Sequence, residues 1–274
     1  MSRLEIAGGT FGDCFRIGRL WIVQFFANPI LLLLLVAWLL IPVASNLHLV
    51  FNFVFALVLL AATLTLHAGT LNFFADLQRS ESAQLWPAFR RALRHVLPIA
   101  ICVAVFCLLW LFVGKLESYQ SSFPAYIRST LPVSLRRHIT LPALDTLFSV
   151  TLFIVRWIFV PGLLLPFLAQ AADRGFRGIG LEGLTAWRKT IFSVVYWIVL
   201  AFAALLGVLA ARKLMAWTPD FKTSTTHSEA ISLAWRLFLA YFFGLFSWML
   251  TSSVVGRHGA AAGTSSDVTG NPSA

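Results

Sequence analysis

Six stretches of this chain, at about 29–45, 48–74, 96–114, 146–171, 191–211 and 230–255, are long, apolar and nearly free of charge. A helix rises 1.5 Å per residue, so about 20 apolar residues cross the roughly 30 Å of hydrocarbon in a bilayer, and there a helix satisfies its own backbone hydrogen bonds. The pattern predicts an all-α polytopic bundle of six transmembrane helices. Only 12% of the 274 residues are charged, against about 25% in an ordinary soluble domain. The chain therefore reads as one six-helix transmembrane domain over 1–255. Beyond it, 256–274 is mostly Gly, Ala, Ser, Thr, Asn and Pro, which cannot bury much apolar surface and is expected to be a disordered tail.

Helices one and two are separated only by Ser45, Asn46 and Leu47, which makes them a tight antiparallel hairpin. Three such hairpins account for the six spans. Lys and Arg outnumber Asp and Glu by 21 to 11, a formal charge of +10, and in a membrane protein this excess first sets orientation. One side collects twelve basic residues: Arg3, Arg16, Arg19, Arg79, Arg90, Arg91, Arg94, Arg174, Arg177, Arg188, Lys189 and Arg257. The other collects seven: Lys115, Arg128, Arg136, Arg137, Arg212, Lys213 and Lys222. The bias places both termini in the cytoplasm, with the chain multi-pass in a bacterial cytoplasmic (inner) membrane.

The segments before the odd-numbered spans repeat one motif: Cys14-Phe15-Arg16-Ile17, Ala88-Phe89-Arg90-Arg91 and Ala186-Trp187-Arg188-Lys189. Each has a small residue, an aromatic and an Arg. In the middle copy Leu85, Phe89, Leu93 and Val96 fall at helical spacing, with Arg90, Arg91 and Arg94 elsewhere, as in an amphipathic helix lying in the membrane interface among anionic lipid headgroups. Two readings stay open: plain positive-inside anchors, or three copies of one unit, an interfacial helix followed by a helical hairpin, around a pseudo-threefold axis. With its Phe-Arg-type starts and the paired helices after them, the chain resembles a broad group of bacterial six-helix membrane proteins. That group includes the membrane domains fused to some glycerophosphodiester phosphodiesterases. In those fusions catalysis resides in a separate soluble domain, so the resemblance implies a membrane module without an active site.

Arg156, in the run Phe148 to Val160, lies about nine residues into its apolar stretch. An Arg at the bilayer centre costs about 2.5–3.5 kcal/mol on insertion scales, so it demands a partner. Arg236 is shallower and can snorkel outward along its stem. Asn52 holds a similar place on helix two. Together these three form the candidate ligand-binding set. No carboxylate lies in the same stretches, which suits an anionic ligand or lipid headgroup. Otherwise Arg156 bonds carbonyls freed by Pro161 or neighbouring hydroxyls and fixes packing. Gln24 and Asn28 are placed together just before Pro29, at the entry to helix one, and His67, near Thr63 and Thr65, reads as a hydrogen-bonded packing residue. The stripes Ala203, Gly207, Ala211 and Ala61, Thr65, Gly69 predict close helix contacts.

Cys14, Cys102 and Cys107 have neither zinc nor disulfide spacing. There is no HExxH, no Gly-x-Ser-x-Gly, no P-loop and no pair of carboxylates at helical spacing inside the spans. An enzyme, a metal and a cofactor are therefore not expected. Basic residues on both sides of a membrane do not make a nucleic-acid surface. The expected function is a non-catalytic membrane module that binds or passes a lipid-like or anionic small molecule. The alternative is a structural or assembly subunit whose partners are other membrane proteins.

Overall fold

A computed structural model describes residues 3–42, 44–79, 83–120, 122–217 and 226–267, and among them there is no strand. In chain order the main helices are α1 (Arg3–Arg16), α2 (Gly18–Leu39), α3 (Asn46–Arg79), α4 (Leu85–Arg94) and α5 (Val96–Glu117). They are followed by α6 (Ser122–Thr130), α7 (Leu141–Arg174), α8 (Leu181–Ile191), α9 (Val194–Ala216) and α10 (Thr226–Asp267). Six of them, α2, α3, α5, α7, α9 and the His227–His258 part of α10, are long and apolar enough to cross a membrane. Their outward surface is built of side chains that water would not tolerate in such number. Leu32, Leu33, Phe53, Leu108 and Phe112 are each more than 60% exposed, a belt that faces lipid acyl chains. The chain is an integral membrane protein of the all-α, polytopic class.

Two boundaries differ from the sequence reading. The first span begins at Gly18, and Pro29 lies inside α2. Proline removes the hydrogen bond to the carbonyl four residues earlier. Here that carbonyl belongs to Phe25, and the Tyr241 hydroxyl of α10 donates to it at 2.9 Å. Gln24 and Asn28 accordingly sit within the span, Gln24 donating to the Leu66 carbonyl at 3.3 Å and Asn28 to Gln24. The same device recurs on α7, where Pro166 frees the Gly162 carbonyl and the Tyr196 hydroxyl of α9 donates to it at 2.7 Å. At the C-terminus α10 continues to Asp267 instead of ending in a disordered tail from 256. At the start of that segment Arg257 is ion-paired with Asp13, and His258 stands 2.7 Å from the Ser193 hydroxyl. Residues 268–274 lie outside the described residues.

The helices pack in a cyclic order. The second helices of the hairpins, α3, α7 and α10, touch one another in the middle, and the first helices α2, α5 and α9 each pack outside their own partner. Each short helix that carries a motif copy lies against an inner helix: α4 on α3, α8 on α7, and α1 on α10. The last of these closes the ring and brings α1 and the C-terminal part of α10 to one face, called here the terminal face. The first residue of every motif copy is the contact: Cys14 and Ala88 are 0% exposed and Ala186 5%. A small residue is needed because the helices approach closely. A Cβ on Gly69 of α3 would lie 2.8 Å from the Phe89 ring of α4.

Candidate functional site

Arg156 is not the isolated cation that the sequence suggested. One guanidinium nitrogen stands 2.6 Å from a carboxylate oxygen of Glu117, the last residue of α5. The guanidinium carbon lies 3.7 Å from the centre of the Trp110 ring, one face of which it covers. Gly114, between them on α5, leaves room for the approach, since a Cβ there would already be 3.4 Å from the guanidinium. The 34-residue α7 is about 51 Å long at 1.5 Å per residue. It outruns both the membrane and α5, so the middle of its sequence is level with the far end of α5. Arg156 sits in a π-helical turn, Val155–Phe159, just before Pro161. Such turns occur where a helix accommodates an extra residue. The pair is therefore a charge-neutral, indole-backed clamp between two helices, and Arg156 bonds Glu117 instead of the carbonyls near Pro161. Its Nε has no partner.

The three candidate ligand-binding residues are not brought together by any hydrogen bond or ion pair among the described residues. The Arg236 guanidinium donates to the Trp217 carbonyl just after α9 and to the Ser232 carbonyl at 3.3 Å. Asn52 offers its backbone carbonyl to the Trp38 indole at 3.0 Å, while its side-chain oxygen is sealed without a partner. Each residue ties its own pair of helices.

The interfacial anchors divide into two groups. Phe15 is 68% exposed and Arg90, Arg94 and Arg188 face outward, as membrane-surface groups should; the Arg16 side chain lies outside the described residues. Phe89 and Trp187 instead turn into the protein, Phe89 under Gly69 and Trp187 with its indole donating to the Leu163 carbonyl at 2.7 Å. The buried stripe of α4 is Ala88 and Ala92, while Leu93 is 58% exposed. Small residues let the helix lie closer to α3 than leucines would. Arg91 is ion-paired with Asp76 and stands 3.4 Å from Asp173. Asp173 in turn holds Arg79 at 2.7 Å. Lys189 also has an interaction partner. Next to Arg79 at the end of α3, Gln78 donates to Asp13 at 2.7 Å, and Asp13 also binds Arg257, with the guanidinium Nε at 3.0 Å. These pairs join successive units across the terminal face.

Cys14 lies in that contact, outside the spans. Burial pushes its thiol up to about 12, with the neighbouring Asp13 charge acting in the same direction. The three cysteines are free thiols, and no group of residues able to hold a metal ion occurs among the described residues.

The feature that sequence reading missed is a cavity. A volume of about 320 Å³ opens between α3, α5, α7 and α10, lined among others by Thr63, His67, Cys102, Phe106, Leu165 and Trp248. A second, of about 280 Å³, shares Phe106, Leu165 and Trp248 and reaches the π-helical turn of α9. His67 is no hydrogen-bonded packing residue. Its Nδ1 is sealed without a partner, as is the indole nitrogen of Trp248, against whose ring His67 stands edge-on with centres 5.1 Å apart. No local signal announces this, because the walls come from four helices scattered through the chain. No protein family, characterised protein or solved structure matches the chain.

Proposed function

We propose that the protein is a non-catalytic module of the bacterial cytoplasmic membrane, both termini cytoplasmic, that takes up a lipid-like molecule from the bilayer into the cavity beside His67. The observation that carries this reading is the cavity itself, about 320 Å³ of largely apolar space at membrane depth, within the range of small-ligand sites. Its source of ligand is the surrounding lipid, since all four wall helices are membrane spans. The anionic-ligand reading at Arg156 is less well supported, because Glu117 already supplies the negative charge. The resemblance to bacterial six-helix membrane modules agrees with a role in binding.

The test is native mass spectrometry of the purified full chain after exposure to an extract of bacterial lipids. Leu164→Trp and Val103→Trp, which fill the cavity from α7 and α5, should each abolish an adduct that the parent protein retains. An adduct kept unchanged in both variants, or none in the parent, would leave the structural or assembly role with other membrane proteins as the better reading.

A further inference from the structure

We infer that the occupant of this cavity is a single-chain alcohol, its hydroxyl held by the Thr63–His67 strip of α3 and its tail by the apolar walls. This deepens the uptake proposed above and rests on it. Thr63 and His67 are four residues apart and therefore neighbours on one helix face; both line the cavity. The Thr63 hydroxyl proton is given to the Leu59 carbonyl at 2.8 Å, so what Thr63 offers an occupant is its oxygen lone pairs. The Nδ1 of His67 is sealed, so Nε2 is the ring nitrogen left to meet an occupant.

A neutral imidazole presents either a donor or an acceptor at that nitrogen, depending on its tautomer. A hydroxyl can answer both and can also donate to the Thr63 oxygen, whereas a carbonyl answers only the donor form. A hydrocarbon answers neither and leaves the imidazole unpaired. Water would find in the strip only the minimum of two polar partners and would leave unfilled the space walled by Leu64, Ile99, Val103, Phe106, Leu164 and Leu165. A charged headgroup is disfavoured as well: no Lys, Arg, Asp or Glu lines the cavity, and an unpaired charge at membrane depth is costly.

Cys102 lies in the wall and serves as a built-in reporter. In the full chain with Cys14→Ala and Cys107→Ala, the rate of Cys102 alkylation by N-ethylmaleimide is measured with 1-decanol or decane present. Native mass spectrometry of the same mixtures reads binding independently of thiol reactivity. Decanol should bind and protect at a concentration roughly fivefold below decane, the ratio expected from one net hydrogen bond. His67→Phe, close in shape, should bring decanol down to the level of decane while leaving decane unchanged, which also reports that the variant is folded. Equal binding of the two probes, or a preference that survives in His67→Phe, would overturn the alcohol assignment and leave lipid uptake standing. Binding of neither would overturn both.

Discussion

The guanidinium of Arg156 and the carboxylate of Glu117 meet at 2.6 Å across α7 and α5, with the Trp110 ring beneath the cation. The pair neutralises the one charge that had pointed to an anionic ligand. The Arg156 side chain is 14% exposed and that of Glu117 45%, so losing Glu117 strands a buried cation, while losing Arg156 leaves a carboxylate that solvent can reach. Glu117→Gln and Arg156→Gln should each lower the thermal midpoint in detergent. The double variant should lose less than the sum, with a coupling of about 1 kcal/mol. Simple additivity in this cycle would show that the contact does not contribute.

Two tyrosine hydroxyls, Tyr241 and Tyr196, each donate to the carbonyl that a proline four residues later leaves free, on Phe25 and Gly162. Leaving such a carbonyl unpaired in the membrane costs about 1–3 kcal/mol. Tyr196→Phe should destabilise by that amount in the parent. In a Pro166→Ala background, where the residue-166 amide can bond the Gly162 carbonyl again, the cost should fall well below it. The same comparison holds for Tyr241→Phe with Pro29→Ala. An equal loss with and without the proline would contradict this account.

Gly69 gives Phe89 its place, the ring lying 2.8 Å from where a Cβ would stand. Gly69→Val should overpack the α3–α4 contact and destabilise by roughly 1–3 kcal/mol. Protease sensitivity should rise in the segment around α4. Gly8, inside α1, where a Cβ would meet nothing within 4 Å, is the control: Gly8→Ala should not destabilise and should gain up to about 1 kcal/mol of helix propensity.

Cys14 is fully buried, with its thiol pushed up from 9.0 to about 12. Because the folded-state value lies above the unfolded one, the stabilisation is complete below pH 9. It is lost as pH climbs from 9 towards 12, where the unfolded chain releases a proton that the fold retains. The thermal midpoint should therefore fall more steeply between pH 9 and 11 in the parent than in Cys14→Ala. In native protein Cys14 should resist maleimide at pH 8 and react only on unfolding.

With the terminal face in the cytoplasm, a cysteine at Ser265 should react with an impermeant maleimide only after cells are opened. One at Ser129, exposed on α6, should react in intact cells. Labelling of Ser265 from outside would invert the orientation.

The six spans were legible because hydrocarbon imposes its demand locally, residue by residue, along each stretch. The start of α2 was not, because Pro29 looks like an entry when its effect is cancelled by Tyr241, more than 200 positions away in sequence. Arg156 was legible as a residue needing a partner, but Glu117 was not legible as that partner. It lies beyond its own apolar run and meets Arg156 only because α7 overshoots α5. The motif copies were visible as sequence, yet their role depends on the buried faces of Cys14, Ala88 and Ala186, which a four-residue match does not reveal. The cavity has no sequence signature at all: its one polar strip, Thr63 and His67, resembles any helix with a threonine and a histidine in it.

The ring closes between the first helix and the last, through Asp13 with Arg257 and Ser253 with the Thr10 carbonyl. Because α1 precedes α10 in the chain, it emerges before the helix it packs against and must wait for it. Until α10 has entered the membrane, α1 has only its contacts with α9 and α3, and Asp13 and Arg257 have no counter-charge in each other. A chain truncated before His227 should carry five inserted spans and an N-terminal helix without its α10 contacts. Arrival of α10 thereby becomes the event that closes the ring.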